Sequence, residues 1–353
     1  MGNRVIIEME KLSDIACGLG QVCLQLGQIF EEIAPKDLDL EYMVFPGQIS
    51  EFGEKARYHT LKKIYKTLPF LSPKTDLWHS IHQDTKYFPP SKKIPFLLTI
   101  NDLNFLQEER DSKTIENRIK ILQKKVDRSC ALTVISKYTE KIVREHLRVG
   151  DTEIHQIYLG VNLLQDTTSV ERPSFLSDRP FLFTVGTILP KKNFHVLVQM
   201  MKHLKDFDLV IAGSTYHPYA SEISEEVVKN GLEKRVFLPG KISEQMKSWY
   251  YQNASAFVFP SLAEGFGIPA VEAMGQGIPT ILSTEMSLPE IGGVHADYFK
   301  NFDPADMAFV VLNAIDKIQK GSEESLQMVK WSEQFNWRST AESYLELYRK
   351  YLP

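Results

Sequence analysis

Short apolar runs alternate with amphipathic stretches along all 353 residues. In the first half, RVIIEM (4–9), LEYMVF (40–45), DLWHSI (76–81), PFLLTI (95–100) and CALTVI (130–135) read as strands. In the second half, FLFTVG (181–186), DLVIAG (208–213), RVFLPG (235–240), AFVFP (256–260) and PTILS (279–283) do the same. Most are rich in Val, Ile, Leu and Phe with little polar alternation, as in parallel strands covered on both faces. Helical periods such as QVCLQLGQIFEEI and NFHVLVQMMKHL lie between them. Strands alternating with helices predict a doubly wound α/β arrangement. Residues 163–178 are polar, contain Pro173 and lack a period, so they predict a linker. The organisation expected is two Rossmann-like domains, 1–165 and 175–335, followed by a terminal helix over 336–353.

Composition narrows the function classes. A chain of this length accommodates two domains with full cores. Hydrophobic residues make up 43% and charged residues 24%, ordinary for a soluble globular protein. The net charge of -4 disfavours nucleic acid as a partner. Cys17, Cys23 and Cys130 have no paired spacing, against a disulfide framework or a cysteine zinc site. The N-terminus lacks a long apolar segment, and Ile6 stands where a myristoylation motif needs Ser or Thr. No run reaches the ~18 apolar residues of a membrane span. The expected location is cytoplasmic.

Three loops of the second half follow predicted strands, where open α/β sheets bind ligands. VGTILPKKN carries Gly186, Lys191 and Lys192 before a helix. Two lysines and a helix N-terminus suit a diphosphate, although a solvated basic turn has the same composition. In LVIAG, Gly213 ends a strand and permits close backbone approach. SLAEGFGIPAVEAMGQGIPTILS (261–283) places Glu264 and Glu272 around Gly265, Phe266 and Gly267. Buried carboxylates need partners, and carboxylates accept hydrogen bonds from vicinal hydroxyls. The plainer alternative is a helix-capping glutamate and an exposed loop glutamate.

This order of strings resembles glycosyltransferase family 4, the retaining enzymes of GT-B fold, over nearly all of 175–345 and more loosely before that. The resemblance implies two Rossmann-like domains facing across a cleft. It gives Glu264 to the donor sugar hydroxyls and the backbone of Gly265, Phe266 and Gly267 to that sugar or its phosphate. Glu272 would take the ribose, and Lys191 and Lys192 the diphosphate. The donor would be a GDP- or UDP-linked sugar, with mannose favoured, and the acceptor a glycan or lipid-linked hydroxyl of bacterial surface polysaccharide synthesis. No metal or other cofactor is then needed. Asp-x-Asp strings of metal-dependent transferases occur at 37–39 and 206–208, beside predicted strands, and read as chance.

In the first half, Gly18 and Gly20 precede an amphipathic helix. A dinucleotide fingerprint would need Gly at position 23, which is Cys23, so an oxidoreductase is disfavoured. The resemblance places this glycine loop near the donor phosphate and the acceptor; a simple helix-entry turn is the alternative. LLTINDLNFL departs from the family, which shows His-Asp where this chain has Asn101 and Asp102. Asn hydrogen-bonds a sugar hydroxyl but takes no proton near neutral pH. His79 and His82 stand at another strand end, as candidate contributors or as ordinary polar residues.

Residues 51–150 hold 20 Lys and Arg against 12 Asp and Glu. Within them, 57–71 places Leu61, Ile64, Tyr65 and Leu68 at helical spacing beside Lys62, Lys63 and Lys66. This predicts a basic amphipathic helix that meets anionic lipid at the inner membrane face, as a peripheral contact, or a phosphorylated acceptor, against a core-facing helix with a solvated side. The function expected is hexosyl transfer; the alternatives are a non-catalytic nucleotide-sugar-binding partner subunit and, more distantly, a sugar phosphorylase of the same fold.

Overall fold

The computed structural model describes residues 2–15, 17–162, 167 and 170–353. The chain divides into two compact units, Met1–Gly160 with Phe335–Pro353, and Val161–Gln334.

The first unit contains strands β1 (Asn3–Glu8), β2 (Leu38–Val44), β3 (Arg57–Thr60), β4 (Leu77–Ser80), β5 (Phe96–Ile100), β6 (Ala131–Val134) and β7 (Glu153–Gln156). They form one parallel sheet in the order β3-β2-β1-β4-β5-β6-β7. Val5, Ile6 and Ile7 are all fully buried, so β1 is covered on both faces. The helix Gly18–Ile33 crosses over between β1 and β2 and buries Val22, Cys23, Leu26 and Phe30. The final helix, Trp337–Tyr351, packs beside it and buries Ala341, Tyr344 and Tyr348. The Asn336 side chain accepts from the Ser339 N–H at its start, satisfying an otherwise unpaired donor. Gly160 lets the chain pass this helix, because a Cβ there would stand 2.2 Å from the Trp337 nitrogen.

The second unit contains β8 (Phe181–Val185), β9 (Asp208–Ala212), β10 (Val236–Gly240), β11 (Ala256–Phe259), β12 (Thr280–Ser283) and β13 (Asp297–Phe299). They pair in parallel in the order β10-β9-β8-β11-β12-β13. Phe181, Phe183, Val210, Ile211, Phe257 and Ile281 belong to its core. Asp208, the end of one Asp-x-Asp string, is buried at the start of β9. There it accepts from the Ser177 hydroxyl at 2.7 Å, a structural contact.

Two expectations change. Of the predicted linker, 163–166, 168 and 169 lie outside the described residues, and Leu176 is packed into the second core. Segment 57–71 is not an α-helix. It is β3, then two 3₁₀ turns at Lys63–Lys66 and Pro69–Leu71. Residues 57–60 pair with β2, and Pro69 has no N–H to continue a helical ladder. Leu61 and Tyr65 turn inward, while Ile64, Leu68, Phe70 and Leu71 stay exposed. Among the described residues, no helix is long and apolar enough to cross a membrane.

Candidate functional site

The second sheet reverses its direction of winding between β8 and β11. Such a switch point opens a crevice beyond the carboxyl ends of the strands. The loop after β8 carries Gly186, Lys191 and Lys192; the loop after β11 carries Ser261, Glu264, Gly265, Phe266 and Gly267. The two loops are stitched together. The Leu262 N–H donates to the Lys191 carbonyl at 2.7 Å, and the Ser261 hydroxyl reaches the same carbonyl at 3.2 Å. Lys192 Nζ donates to Glu264 Oε1 at 2.5 Å, and Ser261 Oγ donates to that oxygen at 2.7 Å. The ammonium also stands 5.0 Å from the Phe259 ring centroid, within cation–π range.

Backbone shape fixes this geometry. Pro190–Lys192 form a 3₁₀ turn closed by Asn193, whose φ of 57° is left-handed, a region Asn tolerates. Gly186 and Gly213 both have positive φ, and a Cβ on Gly213 would stand 1.8 Å from the Gly186 carbonyl oxygen. Only glycine fits where those two strand ends meet. Gly267 (φ 107°) precedes the helix Ile268–Met274, with Pro269 in its first turn. The Ser287 hydroxyl holds the loop from below, donating to the carbonyls of Glu264 and Phe266 at 2.8 and 3.0 Å.

Glu272 lies on that helix and is buried. Lys247 Nζ donates to its Oε1 at 2.8 Å and the Tyr251 hydroxyl to its Oε2 at 2.9 Å. Burial pushes the Lys247 ammonium down, but Glu272 and Glu244 outweigh it and the pKa rises. Burial first, and then Glu272, holds the Tyr251 phenol well above its usual range. Each glutamate thus sits beside a lysine and a hydroxyl donor, with lone pairs left to accept hydroxyl hydrogens. The sequence reading did not assign Lys247, Tyr251 or Ser261. Lys247 and Tyr251 stand four apart on the helix Glu244–Asn253, so they share one face, and that polar pair was the available signal. The helices at His195 and Ile268 have only six and seven residues, so positive charge here comes from lysines more than from a helix dipole.

The remaining candidates lie in the first unit. Asn101 is buried; its N–H donates to Gln83 Oε1 at 3.0 Å and its side-chain amide to the Ile81 carbonyl at 2.9 Å. Asp102 Oδ1 accepts from the Asn104 N–H at 3.0 Å, a local turn contact. Gly20 is required sterically, since a Cβ would stand 1.9 Å from the Asp14 carbonyl oxygen, whereas Gly18 faces open space. His79 belongs to the core. Its Nδ1 lies 2.8 Å from the Tyr348 hydroxyl and its Nε2 2.8 Å from Thr99 Oγ1. Burial pushes its pKa down to about 3.

The chain is also similar to known proteins. Residues 166–329 match the family model of the group 1 glycosyl transferases. That stretch is nearly the whole second unit. O-antigen chain mannosyltransferase B of Escherichia coli is 27% identical over 174 residues, 47% of this chain and 44% of that protein. The chain thus matches less than half the length of this curated relative. Sucrose-phosphate synthase from Thermosynechococcus elongatus superposes with a TM-score of 0.76 at 18% identity, covering 99% of this chain and 98% of the other. Anabaena Alr3699/HepE, solved with UDP-glucose, gives 0.74 at 14% identity, covering 99% and 100%. The second unit thus resembles the group 1 glycosyl transferases, and the fold is GT-B, with two parallel-sheet α/β units.

Proposed function

We propose that the chain is a retaining glycosyltransferase that moves a hexose, mannose favoured, from a nucleotide-sugar to a hydroxyl of a glycan or lipid-linked acceptor in bacterial surface polysaccharide synthesis. The observation that carries this reading is the switch-point constellation Lys192–Glu264–Ser261, with Glu272 held by Lys247 and Tyr251. Glu272 takes the ribose hydroxyls, and Glu264 orients the donor sugar. Lys191 and Lys192 balance charge on the diphosphate as the sugar–phosphate bond breaks, so no metal is needed there. The leaving phosphate accepts the acceptor proton, a role the Asn101 amide cannot fill. The mannosyl relative favours mannose as the sugar, and the Anabaena neighbour, solved with UDP-glucose, keeps UDP-linked donors beside GDP-linked ones in the comparison.

A second reading has one observation behind it. Asn101 spends its amide on the Ile81 carbonyl and offers no base, which suits a non-catalytic nucleotide-sugar-binding partner subunit. Transfer separates the two. GDP-mannose and UDP-hexoses are incubated with glycan and lipid-linked acceptors, with and without chelator, and the new linkage is assigned by NMR. A product keeping the donor's anomeric configuration, formed equally with chelator, supports the enzyme. An inverted product removes the retaining mechanism, and nucleotide binding with no transfer to any acceptor favours the partner subunit. Peripheral membrane contact is proposed through exposed Ile64, Leu68, Phe70 and Leu71 beside Lys62 and Lys63. Unchanged co-sedimentation with anionic vesicles after Phe70→Ser and Leu71→Ser would remove it.

A further inference from the structure

The first sheet also has a switch point, between β1 and β4. β1 ends at Glu8, Glu10 opens a 3₁₀ turn two residues later, and His82 follows the end of β4. Their side chains converge. His82 Nε2 lies 3.7 Å from Glu8 Oε2 and 3.9 Å from Glu10 Oε2. One ligand atom from each residue lies within 4.8 Å of the other two. Glu8 is 0% exposed and His82 1%. Glu8 Oε2 and both His82 ring nitrogens are buried with no hydrogen-bond partner.

The other carboxylate oxygens are occupied. Glu8 Oε1 accepts the Glu10 N–H at 2.8 Å, and Glu10 Oε1 accepts Lys66 Nζ at 2.8 Å. Each acid thus keeps one oxygen turned toward His82. Buried polar atoms without partners are rare and costly. A protonated imidazole bonded directly to a carboxylate would close to about 2.7–2.9 Å. The observed gaps are wider. A tetrahedral cation with ligand bonds of about 2.0–2.2 Å holds its ligand atoms roughly 3.3–3.6 Å apart. Shifts of a few tenths of an ångström would bring both histidine–carboxylate distances to that spacing.

We infer that Glu8, Glu10 and His82 bind one divalent first-row cation through Glu8 Oε2, Glu10 Oε2 and His82 Nε2. One imidazole with two carboxylates suits Zn²⁺ best among such ions. Two carboxylates and the Lys66 ammonium leave one negative charge, which a divalent ion outweighs. Three protein ligands leave a fourth position for water or a ligand oxygen. Bound there, the ion ties the ends of β1 and β4 to the Lys66 turn. This inference uses first-unit residues only and does not depend on the sugar-transfer reading.

The test is metal binding to the full chain. Protein stripped with chelator and dialysed is titrated with ZnCl₂, MnCl₂ or MgCl₂. Retained metal is counted after gel filtration, and the thermal midpoint is followed. Wild type should retain about one equivalent of Zn²⁺ or Mn²⁺ and melt higher. Glu10→Gln, at the least buried of the three positions, should bind at least tenfold more weakly; His82→Gln should retain none. If His82→Gln does not fold, Glu10→Gln decides. Retention well below one equivalent in wild type, or equal retention in wild type and Glu10→Gln, would overturn the site and leave a proton-bridged ion cluster in its place.

Discussion

The two sheets share an order, with the first strand of each unit flanked by the second and the fourth. Their switch points are finished differently. In the second unit each glutamate has a lysine within 2.8 Å and a hydroxyl donor besides. In the first, Glu8 and His82 face each other at 3.7 Å with their facing atoms unbonded. A paired carboxylate can exchange a partner for a ligand hydroxyl at small cost. An unpaired buried group is a standing penalty until something fills the gap. The same topology thus supports an exchangeable polar site in one unit and an ion-sized gap in the other.

The strongest challenge to this contrast is to remove the second-unit pair. Glu264→Gln keeps the shape but deletes the charge facing Lys192. Sugar transfer should fall about 100- to 1,000-fold, the usual loss for a group acting on transition-state charge or orientation. The unfolding midpoint should change little, since Gln still accepts from Ser261. Transfer within threefold of wild type would deny Glu264 its role.

Next in size is Glu272→Ala. Loss of a buried hydroxyl acceptor should weaken nucleotide affinity by roughly 10- to 100-fold, read by calorimetric titration. The variant also strands Lys247 near Tyr251, so its stability has to be measured in parallel.

The glycines sharpen the comparison sterically. Gly213→Ala puts a Cβ 1.8 Å from the Gly186 oxygen at a φ of 143°, and Gly20→Ala puts one 1.9 Å from the Asp14 oxygen. Each should lose about 1–3 kcal/mol in urea unfolding. Gly18→Ala, facing open space within a helix, should be neutral or stabilise slightly. Equal losses at 18 and 20 would mean that the Asp14 contact does not limit position 20.

The last effect is absent at neutral pH and appears only on acidification. His79 is held neutral by burial with a pKa near 3, below its unfolded value. The unfolded chain therefore binds the extra proton. Stability should be full above about pH 6.5 and fall by up to about 1.4 kcal/mol per unit on acidification toward pH 3 from this group. His79→Gln should flatten that slope. An unchanged slope would assign acid sensitivity to other groups.

Much of the scaffold was legible because its central strands are continuous apolar runs such as Val5–Ile7 and Leu209–Ile211. The edge strands β3, β7 and β13 were not, since half-exposed sequences such as RYHT and EIHQ carry no such run. The rhythm at 57–71 misled because 3₁₀ turns place residues at i and i+3 together as a helix does. Glu264, Glu272 and Lys192 stood out by their loops, whereas Lys247 was hidden in a helix whose partner is 25 residues away. His79 and His82 look alike in sequence. Strand alternation buries the first beneath Tyr344 and Tyr348, while the second lies beyond the strand end, facing Glu8.

The most direct test of the central claim is a thermal-shift panel of nucleotides and nucleotide-sugars on wild type and Glu272→Ala. At 100 times its dissociation constant, a ligand stabilises the folded state by about 2.7 kcal/mol. The account predicts a rise with GDP- or UDP-linked species in wild type, of the same size with chelator present, and its loss in Glu272→Ala. No rise with any nucleotide, or an equal rise in both proteins, would contradict the assignment of the second-unit switch point as the donor site.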